Sequence, residues 1–461
     1  MKTELAIVGG GPAGIAAAVE ASKYAKKIVL IDENSVLGGK VLRSPKVPLD
    51  TVHSDPLAIK AGHQLFDEFE TVKEKITTLT ETEVWHISNK KVLSLVCRSG
   101  KYKDVNSIQA DQIILAVGAR DKTIPFPGWH LPGVMTIGGL KNFIQNGISP
   151  GKRILITGTG VLSMPLAAQL IAQRVKISAI AEAGTFLSQA QLGLTLLMNG
   201  GQDKLKYGMQ CWRSVKRKGV PIHYSHVINR VHGSHQVEGA SIVQVDKNWH
   251  PIKGTEKKIE VDTIATGFGL IPQIEITRLC GCRHTYDRKL GFWSVDRTPN
   301  METSIPGIYV AGDGVSIKGH TAAIIEGQLA AISACKRENA SSNLLVKKMK
   351  QMRKIGSRIA EQSAVHSGIY DIISDDTLIC RCEEIRYTDI LKAAQSNVQD
   401  INDLKRRTRL GMGHCQGRYC GEIAHDLLQK ASGKEFKHKS FTQRLPLKPV
   451  TLGAISGETN H

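Results

Sequence analysis

The feature that most constrains this chain is a glycine-rich loop near the N-terminus, set between an apolar strand and a helix. The run Leu5–Val8 is typical of a buried parallel strand and passes directly into the loop Gly9–Gly14. Segment 15–25 is Ala-rich and predicts a helix, and a second apolar run, 28–31, ends at Asp32. Strand, loop, helix, strand and acid in this order predict a dinucleotide-binding Rossmann unit.

Each residue type in this loop has a physical reason to be there. Gly9 permits the tight turn, Gly11 lets the backbone approach a pyrophosphate, and Gly14 allows the helix to pack closely on the strand. Pro12 and Ala13 open the helix, whose N-terminus favours the phosphate charge. We therefore predict that this loop holds the pyrophosphate of the dinucleotide.

The acid after the second strand is expected to bind the ribose. Asp32 can accept a hydrogen bond from a ribose 2′-hydroxyl, and a carboxylate there would repel a 2′-phosphate. Glu33 is adjacent, so either residue can fill this role.

Two further segments favour FAD over NAD. The pair Gly38–Gly39 lies just past the acid, as in two-dinucleotide flavoproteins, where such glycines approach the flavin. Segment 303–313 resembles the second FAD signature of the same proteins, in which a strand delivers an Asp to the ribityl and pyrophosphate region. The FAD-binding residues predicted from these segments are Gly39, Lys40, Gly312 and Asp313.

A second Rossmann pattern begins at residue 153. The strand 153–157 is followed by a loop, a helix and the strand 176–181. The residues predicted to form this second site are Gly158, Gly160, Ser163 and Glu182. Ser163 replaces the third glycine, so this match is weaker, and the site could take NAD(P), another adenine nucleotide or no ligand.

Four of the nine cysteines cluster near the C-terminus. Cys380 and Cys382 form a C-x-C pair, and Cys415 and Cys420 follow after 32 intervening residues. Four soft ligands suit an iron–sulfur cluster or a zinc ion. Because zinc sites more often use C-x-x-C pairs, this spacing favours iron–sulfur, with zinc or free thiols as the alternatives.

Composition limits location and partners. The formal net charge of +19 favours anionic partners, but no nucleic-acid-binding motif accompanies it, so no specific nucleic acid is predicted. No run of eighteen apolar residues occurs, so no transmembrane segment is expected. The first twenty residues contain the start of a strand and a glycine loop. A signal peptide would instead have a charged start and a cleavage site, so none is predicted. We expect a cytoplasmic protein, with peripheral contact at the inner membrane face as the other option.

Together these segments resemble a known family. The chain is similar to the large flavoprotein subunit of opine oxidases, hydroxyproline dehydrogenases and hydrogen cyanide synthase, which carries a bacterioferritin-associated-ferredoxin-like [2Fe-2S] domain. The segments that carry the resemblance are 9–14, 116–120, 125–128, 305–327, 380–384, 405–420 and 446–453. One departure is Lys40, where the family commonly has Gln.

The resemblance implies more than the motifs do. It implies FAD, a [2Fe-2S] cluster held by the four clustered cysteines, and a smaller partner subunit of the amine-oxidase type. That partner would oxidise the C–N bond of an opine, proline, hydroxyproline or glycine, and this chain would relay the electrons to an acceptor that the sequence does not identify. NAD dependence is often absent from such proteins.

The expected fold class is α/β, with two Rossmann-like units of glutathione-reductase type and a small helical iron–sulfur domain at the C-terminus. The predicted divisions are 1–122 and 256–335 for FAD, 123–255 for the inserted NAD(P)-type unit, 336–375 for a helical connector, 376–433 for the cluster and 434–461 for an extended tail.

Two other functions stay open at this point. One is a stand-alone NAD(P)H-dependent reductase of a ferredoxin-like partner, which would use the second Rossmann unit. The other is a non-catalytic iron–sulfur or iron-handling protein, which the bacterioferritin-associated resemblance suggests and the two FAD signatures oppose.

Overall fold

A computed structural model describes residues 1–42, 56–98, 102–337, 340–437 and 439–456. Within these residues the strands are β1 (Lys2–Val8), β2 (Ile28–Ile31), β3 (Ile76–Leu79), β4 (Thr82–Ile87), β5 (Val92–Cys97), β6 (Ser107–Leu115), β7 (Ala119–Asp121), β8 (Val134–Thr136), β9 (Arg153–Thr159), β10 (Lys176–Glu182), β11 (Ile222–Tyr224), β12 (His226–His232), β13 (Gly239–Gln244), β14 (Lys257–Ile259), β15 (Thr263–Phe268), β16 (Leu270–Pro272), β17 (His284–Asp287), β18 (Phe292–Val295), β19 (Ile308–Val310), β20 (Leu378–Cys380) and β21 (Ile385–Arg386).

The helices of the same residues are α1 (Pro12–Ala21), α2 (Pro56–Glu70), α3 (Ile137–Gln145), α4 (Ser163–Ala172), α5 (Phe186–Met198), α6 (Gln202–Arg217), α7 (Glu275–Leu279), α8 (His320–Ala334), α9 (Ala340–Gln362), α10 (Tyr387–Gln395), α11 (Ile401–Thr408), α12 (Gly421–Ser432) and α13 (Leu452–Ser456). Three short 3-10 helices cover Lys73–Lys75, Gly312–Gly314 and Ser367–Ile372.

The first sheet carries the N-terminal glycine loop. Its strand order is β3-β2-β1-β6-β5-β4, and β19 pairs with β6. Strands β3, β2, β1, β6 and β19 run parallel, whereas β4 and β5 form an antiparallel hairpin at one edge. Ile7, Leu30 and Ile114 are fully buried in the middle of this sheet. Such near-continuous apolar strands are typical of a parallel sheet that helices cover on both faces.

Helices α1 and α8 pack so closely that their backbones are in contact. A Cβ atom on Gly327 would lie 2.1 Å from the carbonyl oxygen of Ala13, so only glycine fits at that crossing. This contact places the start of α1 against the middle of α8, and Gly312, which precedes α8, also lies beside Ala13. The two segments predicted to bind FAD therefore lie together.

The second sheet repeats the Rossmann arrangement. Its strand order is β11-β10-β9-β15-β8, and all its pairings are parallel. A separate antiparallel sheet, β12-β13-β14, packs beside it around Val227 and Ile242. Two Rossmann-like sheets with a small C-terminal helical unit confirm the predicted fold class.

Strand β15 joins the second sheet, although the sequence pattern places residues 256–268 in the FAD domain. It pairs with β9 from Thr263↔Ile154 to Phe268↔Thr159. We therefore propose that the chain returns to the first unit after β15, and not at residue 256.

The C-terminal helices α10, α11 and α12 pack on the antiparallel sheet of the second unit. One apolar core includes Trp129 of that region together with Ile379, Leu404 and Leu427. The indole Nε1 of Trp129 donates to the carbonyl oxygen of Leu378 at 2.5 Å. Residues 438 and 457–461 of the predicted tail, and 338–339 of the connector, lie outside the described residues.

Helix α9 spans both Rossmann units. On the first unit, Arg353 forms an ion pair with Glu326 of α8 at 3.2 Å. On the second unit, Ile355 packs against Leu192 and Leu196 of α5. This helix therefore lies across the cleft between the two units.

Candidate functional site

The N-terminal glycine loop has the close packing that a pyrophosphate cradle requires. A Cβ atom on Gly14 would lie 1.8 Å from the carbonyl oxygen of Gly9, and one on Gly39 would lie 2.9 Å from Cα of Gly11. Gly9 and Gly39 have φ angles of 106° and 58°, which favour glycine. Helix α1 begins at Pro12, so its N-terminal N–H groups face the loop. The residues present therefore fit the phosphates of a dinucleotide.

Asp32 fixes this loop from the end of β2. Its Oδ2 accepts a hydrogen bond from the backbone N–H of Gly10 at 2.5 Å. Its Oδ1 accepts two, from the backbone N and the Nδ2 of Asn34, both at 2.7 Å. A carboxylate offers about four acceptor positions, so about one remains on Asp32 for a ribose hydroxyl.

Glu33 is held by the C-terminal tail. Its carboxylate forms an ion pair with the Nζ of Lys448, which also contacts Glu83 at 2.9 Å. Burial raises the pKa of Glu33, but Lys448, Lys40 and Arg418 together outweigh burial, and the net pKa lies below its ordinary value. Lys448 was missed from the sequence because it is 415 residues from Glu33 and belongs to no motif of this loop.

The second FAD segment meets the first at Gly312. A Cβ atom there would lie 3.0 Å from the Cβ of Ala13. The side chain of Asp313 is turned toward its own loop, because its Oδ1 accepts from the backbone N–H groups of Lys318 and Gly319 at 2.8 and 3.0 Å. Burial raises the pKa of Asp313.

Glu326 of α8 binds the backbone of this segment. Its Oε2 accepts from the backbone N–H of Gly312 at 2.9 Å, and its Oε1 accepts from Nη2 of Arg297 at 2.6 Å. Burial raises the pKa of Glu326, but Arg297, Arg353 and the backbone N–H of Gly312 together outweigh it, so the net pKa is lowered. Sequence reasoning missed Glu326 and Arg297. The only signal was an acid inside an otherwise apolar helix, which predicts a buried partner.

One cavity of about 840 Å³ connects the two Rossmann units. The predicted residues that line it are Gly9, Gly11, Pro12, Ala13, Asp32, Glu33, Gly39, Lys40, Gly312, Asp313, Gly160 and Glu182. Gly14, Gly158 and Ser163 are not among the lining residues, and Gly14 instead provides the close packing beneath the loop. Lys40 donates from its Nζ to the carbonyl oxygen of Ala119 at 2.6 Å, which ties the segment after Gly38–Gly39 to β7.

The second glycine loop differs from the first at two points. Ser163 stands where the first loop has Gly14 and begins α4 with its side chain buried. The segment after α9 lies directly on this loop, because a Cβ atom on Gly160 would lie 2.6 Å from the Oγ of Ser363. The surface that a pyrophosphate would approach is therefore partly covered by protein.

Glu182 ends β10, at the position that Asp32 holds in the first unit. Burial raises its pKa to about 7, although the backbone N–H of Gly184 donates to it at 3.0 Å. Trp212 and Tyr224 line the same end of the cavity. A carboxyl and aromatic rings in one apolar pocket can hold an adenosine moiety.

The four clustered cysteines lie at one site as two contacting pairs. Cys380 is hydrogen-bonded to Cys420, and Cys382 is hydrogen-bonded to Cys415. The Cys420 contact, together with backbone N–H donors, lowers the pKa of Cys380. A Cβ atom on Gly413 would lie 2.3 Å from the Cβ of Cys382, so glycine is required where the two cysteine loops meet.

Four cysteines at one site are a donor set that a binuclear cluster can use. Zinc requires four ligands around a single centre, whereas a [2Fe-2S] cluster takes four cysteines at two irons. The donor set and its division into pairs therefore fit [2Fe-2S].

The cysteine loop also touches the large cavity. Arg418, between Cys415 and Cys420, lines that cavity. Its guanidinium donates to the carbonyl oxygens of Cys415 and Leu447 at 3.1 and 3.2 Å. The cysteine loop therefore forms part of the lining of the cavity that also contains the N-terminal glycine loop.

Comparison with known proteins agrees with this geometry. Residues 3–327 match the pyridine nucleotide-disulphide oxidoreductase family. The chain belongs to this family. Residues 378–430 match the BFD-like [2Fe-2S] binding domain, so this family member carries FAD and a [2Fe-2S] cluster as its cofactors.

Relatives cover nearly the whole of this family member. The HcnB subunit of hydrogen cyanide synthase from Pseudomonas protegens is 32% identical over 97% of this chain and 96% of its own length. An opine oxidase subunit from Rhizobium meliloti is 28% identical over 98% of this chain and 97% of its own. These relatives confirm the predicted resemblance and an FAD-dependent oxidoreductase.

A solved structure shares the fold. The crystal structure of L-proline dehydrogenase from P. horikoshii superposes with a TM-score of 0.70 at 23% identity, covering 99% of this chain and 79% of that one. Across the described ranges, none of the helices has the length and apolar character needed to span a bilayer.

Proposed function

We propose that this chain is the electron-transferring subunit of an amino-acid or imino-acid dehydrogenase. A smaller partner flavoprotein of the amine-oxidase type oxidises the C–N bond of an opine, proline, hydroxyproline or glycine, and this chain passes the electrons to an acceptor. The relatives support this proposal, since they are named as subunits of a hydrogen cyanide synthase and of an opine oxidase and align over almost their whole length.

The observation that carries the proposal is that the cysteine loop lines the same cavity as the predicted FAD-binding loop. Arg418 lies within the cysteine loop and lines the cavity that also contains the N-terminal glycine loop. FAD accepts electrons in pairs and can release them singly, which suits a one-electron cluster beside it. Proximity of the two sites supports electron transfer inside this chain.

At the FAD site, each predicted residue has a proposed task. Gly9, Gly11 and Gly14 allow the backbone to approach the pyrophosphate, and Asp32 holds the loop and offers its remaining acceptor to the ribose. The other residues proposed to bind FAD are Pro12, Ala13, Glu33, Gly39, Lys40, Gly312 and Asp313. Lys40, where the family commonly has Gln, joins the segment after Gly38–Gly39 to β7.

At the cysteine site, we propose that Cys380, Cys382, Cys415 and Cys420 are the cluster ligands. Their division into two contacting pairs supports this assignment. His414 lies 3.7 Å from the Sγ of Cys382 through its Nε2 and can hydrogen-bond to that sulfur.

The second nucleotide site is proposed to bind an adenine nucleotide without taking part in the redox reaction. Gly160 and Glu182 line the cavity, with Gly158 and Ser163 beneath them. Ser363 packs on Gly160. Its side chain therefore occupies space that a dinucleotide would need in order to extend from this loop toward the flavin. This contact favours the relay subunit over a stand-alone NAD(P)H-dependent reductase.

The proposed division of the chain follows the sheets. Residues 1–122 and the part after β15 to about 335 form the FAD unit, with the second unit between them. Residues 336–375 connect this body to the cluster unit at 376–433, and the tail from 434 returns to Glu33 through Lys448. We propose a cytoplasmic location.

The test is the visible spectrum of anaerobically purified protein. It is recorded before and after NADH, then with L-proline, trans-4-hydroxyproline, glycine or an opine. The same additions are repeated after mixing with an amine-oxidase-type subunit that binds this chain and has been purified on its own. We expect flavin bands and broad cluster absorption that neither NADH nor amino acid bleaches, and bleaching once the partner and its substrate are both present.

Other outcomes overturn the proposal. Rapid bleaching by NADH alone makes the chain a stand-alone reductase. A protein purified without flavin under these conditions makes it an iron–sulfur protein with no flavin chemistry. Bleaching by an amino acid without the partner would place substrate oxidation in this chain itself.

A further inference from the structure

The contact between the cysteine loop and the cavity wall is made by one buried arginine. Arg120 of β7 is 9% exposed and lines the large cavity. Its Nε donates to the carbonyl oxygen of Arg418 at 3.0 Å, two residues before Cys420. The same side chain therefore touches the FAD cavity and the loop that carries two of the four cysteines.

Two acids pair with Arg120 through different nitrogens of its guanidinium group. Its Nη1 donates to Oε1 of Glu275 on α7 at 2.7 Å, and its Nη2 lies 3.5 Å from Oε1 of Glu422. Glu422 is the second residue of α12, the helix that begins directly after Cys420. Thus Arg120 fastens α7 of the FAD unit, the cysteine loop and α12 at one point.

This arrangement is more than a surface ion pair. The guanidinium and both carboxylates are largely excluded from solvent, with side-chain exposures of 10%, 7% and 14%. A planar guanidinium can serve three acceptors in fixed directions, which an ammonium cannot. Fixed direction is what a cluster loop needs if its distance from the flavin is to be constant.

We propose that Arg120 is the positioning residue that holds the cluster loop against the FAD cavity and raises the reduction potential of the cluster. The inference rests on the proposed function, because it requires the cluster at the four cysteines. Reduction adds negative charge to the cluster, and a buried cation beside its loop stabilises the reduced form. Net charge and hydrogen bonds around a cluster are established determinants of its potential.

The charge argument gives opposite signs for two variants. Arg120→Met removes the cation and leaves two acids, so the cluster becomes harder to reduce. Glu422→Gln removes an acid and keeps the cation, so the cluster becomes easier to reduce. Arg120→Lys keeps the charge and loses the fixed directions of the two hydrogen bonds and the ion pair that the guanidinium makes.

The experiment is an anaerobic redox titration of the full-length protein, followed by the EPR signal of the reduced cluster. We expect Arg120→Met to lower the equilibrium constant for reduction of the cluster about tenfold, which corresponds to a reduction potential about 59 mV lower for a one-electron couple. We expect Glu422→Gln to raise the reduction potential. We expect Arg120→Lys to keep most of the potential but to broaden the EPR signal as the loop loses its fixed position. Arg406→Gln is the matched control, since Arg406 lies on α11 with its side chain 70% exposed.

The outcomes separate this inference from the proposed function. If the wild-type protein contains no iron and sulfide, the cluster assignment itself fails. If the cluster is present but Arg120→Met and Arg406→Gln have equal potentials, the role of Arg120 is wrong. A shift of Glu422→Gln in the same direction as Arg120→Met also overturns it. If Arg120→Met does not fold, Arg120→Lys decides, because an unbroadened EPR signal in that variant would show that Arg120 does not fix the position of the loop.

Discussion

The carbonyl oxygen of Gly9 lies where a side chain on Gly14 would have to be: a Cβ atom there would approach it to 1.8 Å. Real Cβ atoms do not come this close to backbone, so α1 would have to move away from β1. That movement would displace the helix N-terminus from the phosphate position.

Gly14→Ala is therefore expected to weaken FAD binding at least about tenfold, which corresponds to ~1.4 kcal/mol. The measurement is the flavin-to-protein absorbance ratio after dialysis, with FAD titrated back. Gly208→Ala is the control, because a Cβ atom on this α6 glycine meets nothing within 4 Å. Normal FAD content in Gly14→Ala would show that this loop does not bind the cofactor.

Glu326 is expected to be essential for the stability of the FAD unit. Glu326→Gln keeps the shape but leaves the buried guanidinium of Arg297 without its counter-ion. Removing one partner of a buried pair costs about 3 kcal/mol or more. We expect a large drop in the thermal unfolding temperature and easier loss of FAD, since Gly312 also loses a charged acceptor.

The exposed pair of Lys73 and Glu70 supplies the comparison. Glu70→Gln should change stability by less than about 1 kcal/mol, because exposed ion pairs contribute little. Equal effects of the two substitutions would mean that Glu326 is not a structural centre of the FAD unit.

Local patterns made much of this fold predictable. The loop Gly9–Gly14 is a local motif whose geometry follows from its own residues and from the strand and helix on either side. The spacing of Cys380 and Cys382 likewise limits them to neighbouring positions at one site. For such features the constraint lies within a few residues, so the sequence displays it directly.

Long-range contacts could not be predicted in this way. Lys448 reaches Glu33, and Ser363 lies on Gly160, through packing that depends on the whole chain. The return to the FAD unit that we propose after β15, in place of residue 256, depends on a contact of the same kind. A buried parallel strand such as β15 has the same apolar pattern whichever sheet it joins.

The cysteine assignment gives a further prediction. Cys382→Ser should abolish the broad cluster absorption and the stoichiometric iron while leaving FAD bound, because Cys382 lies in the C-terminal unit. Iron and acid-labile sulfide analysis measures this. Cys282→Ser is the matched control, since Cys282 also belongs to a C-x-C pair but contacts Thr303 in the first unit. Loss of iron in the Cys282 variant, or its retention in the Cys382 variant, would contradict the assignment.

Glu182 predicts a pH dependence of stability. Burial raises its pKa in the folded chain to about 7 from an ordinary value of 4.5, so the folded state binds a proton that the unfolded state releases between these values. The contribution of the neutral carboxyl is thus complete below about pH 4.5 and is lost as the pH rises through 7. Glu182→Gln stays neutral, so its stability relative to the wild type should increase by about 2 kcal/mol between pH 5 and pH 8. Thermal unfolding at the two pH values measures this, with Glu260→Gln as the control because the Glu260 side chain is 87% exposed. An unchanged difference between Glu182→Gln and the wild type would mean that Glu182 is already ionised in the folded protein at pH 5, and so is not held neutral by its pocket.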